Sequence, residues 1–160
     1  MIGANFFDDD GYRYLETEQR VRFNVNTRYR FKKIPGLSAG INTNMMQTSG
    51  GLFILWYNES LAYIPADSAI QAYTNKRFTV DPFITYFSPK GHRHTLRTRF
   101  YRTDNANDKE QSALADLWYG EYQHQFRFKN ELTLTRGLVA TGSVVKSQLY
   151  NDHSSSNFAG

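Results

Sequence analysis

At 160 residues the chain has room for one packed domain or for about eight membrane-crossing strands, and no shift in composition marks a second domain. Its mean hydropathy is negative and its longest apolar run, residues 50–57, falls far short of the roughly 18 residues a spanning helix needs. That excludes membrane helices but not a β-barrel, whose strands show lipid an apolar residue only at every second position.

With no cysteine, disulfides, thiolate metal sites and cysteine nucleophiles are excluded. The net charge of +4 is spread along the chain and describes a solvated surface rather than a nucleic-acid footprint. Aromatic residues reach 16%, with 11 Tyr, 12 Phe and 2 Trp, an excess typical of sheets that hold rings at an interface. The opening residues, MIGANFFDDD, have neither the basic nor the apolar region of a signal peptide.

From residue 20 to 31 the chain alternates without a break. Val21, Phe23, Val25, Thr27, Tyr29 and Phe31 share one face; Arg20, Arg22, Asn24, Asn26, Arg28 and Arg30 share the other. This predicts a strand about twice the usual globular length and suited to crossing a bilayer at a tilt. A tight turn follows at KKIPG, then a second alternating run over residues 37–47, with Gly50 and Gly51 predicting a bend. Residues 77–87 set Phe78, Val80, Ile84 and Tyr86 against Arg77, Thr79, Asp81 and Thr85, and Pro82 predicts a bulge or a strained ladder position. After the turn SPKGHR come strands at 94–101 and 117–128, a turn at Lys129 and Asn130, and a strand over 132–149.

Connections near residues 32, 88 and 129 are short, whereas 58–76, 103–113 and the segment after 150 are longer and polar, the rhythm of an up-and-down outer-membrane barrel with short periplasmic turns and long external loops. Aromatics flank both sets of ends. Tyr29, Phe31, Tyr86, Phe87, Phe126 and Phe128 lie near the short turns; Trp56, Tyr57, Phe100, Tyr101, Trp118 and Tyr150 lie near the long loops, as two interfacial belts would require. A soluble sandwich or lipocalin-like barrel has the same alternation with its faces reversed, and it requires Val21, Phe23 and Val25 to be buried. In the last strand Leu132, Leu134, Leu138 and Val144 share a face with Arg136 and Lys146. A lipid-facing Arg costs ~2–4 kcal/mol at the midplane, so a bulge near Gly137 or a lumen-facing register is expected there.

No residue pattern marks a catalytic site: there is no nucleophile elbow, phosphate-binding glycine loop or dyad identifiable by spacing, and no enzyme or cofactor is expected. His92 and His94 lack a third ligand in the nearby sequence and are expected to be a turn and a strand histidine without a shared role, not a metal site. Asp8, Asp9 and Asp10 lack calcium-loop spacing and are expected in a solvated external loop. The ladder Arg20, Arg22, Asn24, Asn26, Arg28 and Arg30 is expected to line a polar lumen rather than to bind phosphate or nucleic acid. Residues 60–74 form the expected ligand-side loop, with Tyr63 and Tyr73 as stacking surfaces.

The stretches RFTVDPFITYFSPKGHRHTLRTRFYRTDN (77–105), YGEYQHQFRF (119–128) and VVKSQLYNDHSSSNFAG (144–160) resemble the barrel region of TonB-dependent outer-membrane receptors of the Bacteroidetes type, and the resemblance runs from about Gln19 to the end. It implies an all-β, antiparallel, up-and-down transmembrane barrel segment of six or seven strands out of about 22. It implies uptake of a small ligand (siderophore, cobalamin, glycan or peptide) across the outer membrane, in contact with outer-membrane lipid and, in the whole protein, with a plug domain and TonB. No TonB box, plug or terminal aromatic strand is legible, so residues 1–160 are expected to be a partial barrel domain. A small complete outer-membrane barrel of about eight strands and a soluble ligand-binding β-domain stay open beside it.

Overall fold

The computed structural model describes residues 1–66, 69–108, 110–128, 132–150 and 153–160. The strands in chain order are β1 Ile2–Asp9, β2 Glu18–Arg30, β3 Leu37–Phe53, β4 Ile70–Phe87, β5 His92–Asn107, β6 Ala113–Arg127, β7 Thr133–Ser147 and β8 His153–Ala159, with a 3₁₀ turn at Gln148–Tyr150. Each pairs antiparallel with the next, giving one eight-stranded up-and-down sheet, all-β as expected. β1 and β8 have a neighbour on one side only, so the sheet is open. Among the described residues no helix is long and apolar enough to cross a membrane.

Eight strands stand where six or seven were expected, because β1 and β8 carry little apolar alternation and are held mainly by backbone pairing to β2 and β7. The strands also run further than the alternation does: β3 has 17 residues, β4 18 and β5 16. β4 absorbs residues 70–76 and β5 absorbs 103–107, so the alternation of short and long loops reduces to one long connection, 54–69, between β3 and β4. The expected turn at Lys129 and Asn130 lies outside the described residues.

The ladder corrects two local expectations and decides between the alternatives of a third, at Pro82. Gly50 and Gly51 make no bend; β3 passes through both, and each glycine admits a close backbone approach. A Cβ on Gly50 would stand 2.1 Å from the Thr17 carbonyl oxygen and one on Gly51 2.5 Å from that of Leu15. Pro82 makes no bulge. It pairs in register with Ile41; toward β5 the pairing lapses at residues 81–82 and resumes unshifted at Phe83, because a proline has no N–H to give the ladder. β6 and β7 likewise pair without interruption past Gly137, so neither a bulge nor a flipped register carries Arg136 and Lys146.

The register sorts side chains onto two faces. One face carries successive rows of neighbours: Ala39, Ile84, Leu96, Tyr122 and Leu138; then Ile41, Pro82, Gly120 and Ala140, with Thr98; then Thr43, Val80, Phe100, Trp118 and Gly142. The middle of these rows is shallow, and nothing lies within 4 Å of where a Cβ on Gly120 would stand. The other face carries Arg22, Asn24, Asn26, Asn44, Asn42, Thr79, Asp81 and Arg97.

Polar residues bound the apolar face at both ends. Arg136 and His124 lie beyond the Tyr122 row, and Arg102, Asp116 and Lys146 lie beyond the Trp118 row. Arg136 and Lys146 thus keep to the apolar face by standing outside its apolar rows, one at each end. The eight steps from His94 to Arg102 cover about 27 Å of strand, or roughly 20 Å of height at the ~35–45° tilt of barrel strands, where a barrel's lipid-facing band is ~25 Å tall.

The belts are also placed differently from expectation. Phe100 and Trp118 are not at loop ends but lie inside the charge pair, tilted to each other with centroids 5.9 Å apart, and Phe78 adds a third ring 6.3 Å from Phe100. Phe87 and Tyr101 belong to the polar face by register.

Candidate functional site

Among the described residues, one hydrophobic side chain is buried, Phe53 at 2% exposure, under the Arg13 guanidinium 4.6 Å from its ring centroid. Val21 is 53% exposed, Phe23 40% and Leu138 77%, so the apolar face has no second layer on it. A water-soluble domain of this size buries a core between layers. This one sheet presents its apolar side chains outward.

The sequence-predicted arginine ladder does lie on one face of β2, with neighbours of its own kind. Arg20 approaches Glu18 at 3.2 Å and lies over the Phe7 ring at 4.9 Å. With the Asn44 amide oxygen turned toward it, Arg22 donates to that oxygen from Nε and Nη2 at 3.0 Å each. Arg28 Nη2 donates to Ser38 Oγ at 3.2 Å. Asn24 and Asn26 line the same groove as Asn42, Asn44, Thr79 and Asp81. Arg30 ends the strand, exposed.

Further across this face Arg99 closes a two-pronged pair with Asp81, Nε to Oδ1 at 2.8 Å and Nη2 to Oδ2 at 2.7 Å. The Tyr119 hydroxyl donates to Glu121 Oε2 at 3.0 Å. Around them opens a concavity of about 520 Å³ lined by Arg97, Phe83 and Leu117 as well. Donors and acceptors on a polar wall of this kind suit water and a polar solute.

Tyr63 and Tyr73, expected in one loop, are separated. Tyr73 sits in β4, half-buried on the polar face opposite Gly50. Tyr63 remains in the long connection and meets the Tyr12 ring edge-on at 6.2 Å. That connection is tied down: Tyr14 N–H donates to the Tyr63 carbonyl at 3.0 Å, Tyr57 N–H to Ile64 at 2.9 Å, and Trp56 bridges Pro65. Below it, Arg13 pairs with Glu16 through both its Nε, at 2.6 Å, and Nη2. That pairing draws the Glu16 carboxyl below its ordinary range, chiefly through the hydrogen bond. Asp8 and Asp9 belong to β1 rather than to a loop, and Asp9 Oδ1 accepts from the Gly11 N–H at 2.8 Å.

The histidines form a group that sequence reasoning missed. His92 and His94 do share surroundings, because the β5–β6 register sets His124 beside His94. The rings stack, His92 to His124 at 5.2 Å between centroids and His94 to His124 at 4.6 Å. Tyr86, Tyr122 and Phe126 surround them. The 29 residues between His94 and His124 hide this pairing from any reading of spacing. Among the described residues no group of three or more His, Cys, Asp or Glu side chains is placed to hold a metal ion.

Comparison with protein-family models, with curated proteins and with solved structures gave no match.

Proposed function

We propose that this chain is part of the wall of an outer-membrane β-barrel of the TonB-dependent receptor kind, a transport protein that moves a ligand without transforming it. The observation that carries the reading is the exposed apolar band across β2 to β7, bounded at both ends by polar side chains, with a hydrogen-bonded polar face behind it. Lipid covers such a band; water on both sides leaves it unsatisfied. The polar face, with Arg20, Arg22, Asn24, Asn26, Arg28 and Arg30, then lines the lumen. The long connection with Tyr63 lies on the external, ligand side, and a plug domain and TonB are the partners of the whole receptor.

The open edges at β1 and β8 favour a segment of a larger barrel over a small closed one, since closure of eight strands requires β1 to pair with β8. Refolding the chain from urea, in parallel into maltoside micelles and into plain buffer, tests the reading by circular dichroism and size exclusion. Monodisperse β-structure in micelles with aggregation in buffer is expected. A soluble monomer with cooperative unfolding in plain buffer would overturn it. The receptor assignment is tested by the gene: an open reading frame that encodes a plug domain ahead of these strands supports it, and one encoding a closed eight-stranded barrel alone overturns it.

A further inference from the structure

The two ends of the apolar band differ in charge. At the loop end Arg102 is matched by Asp116 at 2.6 Å. At the short-turn end Arg136 stands with His92, His94 and His124, and among the described residues it has no carboxylate within ion-pair distance.

The hydrogen bonds there fix which nitrogens carry protons. Arg136 Nε donates to His124 Nδ1 at 3.1 Å. A guanidinium has no acceptor, so this Nδ1 is bare and the neutral His124 ring keeps its proton on Nε2. Nε2 stands 2.9 Å from His92 Nδ1 and donates to it, which leaves the His92 proton on its own Nε2. His94 Nδ1 lies 2.7 Å from the Tyr122 hydroxyl. The phenol is the stronger acid of the two, so it donates, and His94 also keeps an N–H on Nε2. The bonds from Arg136 through His124 to His92 run one way from the cation outward, each polarising the next. The cluster therefore offers an incoming molecule donors: the Arg136 Nη groups and the Nε2–H of His92 and His94. Such a set selects an anion.

The position narrows the anion further. The cluster borders the apolar row Ile84, Leu96, Tyr122 and Leu138, so a molecule with its phosphate on these donors has an apolar track for its chains along the sheet. Inorganic phosphate has no use for that track. We propose that His92, His94, His124 and Arg136 bind the phosphodiester of an anionic phospholipid at the short-turn rim of the band, an inference that rests on the membrane reading above.

The chain folded in maltoside micelles is titrated with phosphatidylglycerol, with inorganic phosphate and with uncharged diacylglycerol, while nitrogen-15 spectra of the histidine rings are followed. Phosphatidylglycerol is expected to shift the His92 and His94 signals saturably, and Arg136→Gln to weaken its apparent affinity about tenfold or more. His92→Phe keeps a ring in the stack but removes its donor; it is expected to weaken binding as well, and it serves if Arg136→Gln does not fold. Equal affinity for inorganic phosphate would overturn the lipid assignment. Equal shifts with diacylglycerol, or an unchanged affinity in both variants, would overturn the anion site. A chain that folds in micelles without a response to phosphatidylglycerol defeats this inference alone, whereas a monomer folded in plain buffer defeats the membrane reading itself.

Discussion

Arg102 reaches across from β5 to grip Asp116 of β6 with both prongs, Nε to Oδ1 at 2.6 Å and Nη2 to Oδ2 at 2.7 Å, on the face that also carries Phe100 and Trp118. Arg102 is half-exposed, so the pair is worth little where water reaches it and more where lipid or detergent does. Asp116→Asn leaves the guanidinium without its counter-charge beside an apolar band. In micelles the substitution is expected to lower the urea midpoint, and adding Arg102→Gln to recover most of the loss. Urea midpoints of the two single variants and the double variant decide this; simple addition of the two losses would show that the pair is not coupled.

The two faces respond oppositely to a new charge. Ala140→Arg puts a cation in the middle row of the apolar face and is expected to lower stability in lipid by ~2–4 kcal/mol. Thr141→Arg puts the same cation on the polar face near Tyr119 and Glu121, with an expected change within ~0.5 kcal/mol. Chemical unfolding of the two variants in the same vesicles compares them, and equal losses would mean that the faces have been assigned wrongly.

Acid acts on the connection between β1 and β2 through Glu16. Glu16 is held below the usual carboxylate range by its hydrogen bond from Arg13. A carboxylate depressed in the folded state stabilises it above the unfolded value of about 4.3, and that contribution is lost as pH falls through the folded pKa. Carbon-13 titration of Glu16 is expected to show a midpoint below that of an unstructured glutamate, with Arg13→Gln restoring the ordinary value. Identical midpoints in the two proteins would remove the ion pair from the account.

The contact between the Tyr12 and Tyr63 rings joins two connections on the same side of the sheet. An edge-to-face pair contributes ~0.5–1.5 kcal/mol, so Tyr12→Ala is expected to speed chymotrypsin cleavage at Tyr63 by about two- to tenfold. An unchanged rate would show that the backbone bonds from Tyr14 to Tyr63 and from Tyr57 to Ile64 hold the segment by themselves.

Where one side of a strand meets an apolar surrounding and the other a polar one, the chain records it residue by residue, and the alternation of β2 from Arg20 to Arg30 is legible without any structure. Beyond the apolar rows both faces of a strand carry polar or small residues. Thr103, Asp104, Asn105, Ala106 and Asn107 therefore look like loop although they belong to β5. β8 is hidden for the same reason, since a run of serines carries no face preference and is placed by its backbone bonds to β7. The arginine ladder was visible because it lies within one strand. The histidine cluster was not, because it is assembled by register between two strands, and Tyr73 was misplaced because a tyrosine fits a polar strand face as readily as a loop.

The empty space over Gly120 also has an experimental use. The chain contains no cysteine, so Gly120→Cys would introduce a single thiol halfway between the two charged rims, at a place where an added side chain meets no neighbour. A nitroxide attached there would act as a depth gauge. Its accessibility to oxygen against a water-soluble relaxer would read whether this row enters a bilayer and how deeply, with little disturbance from the label itself.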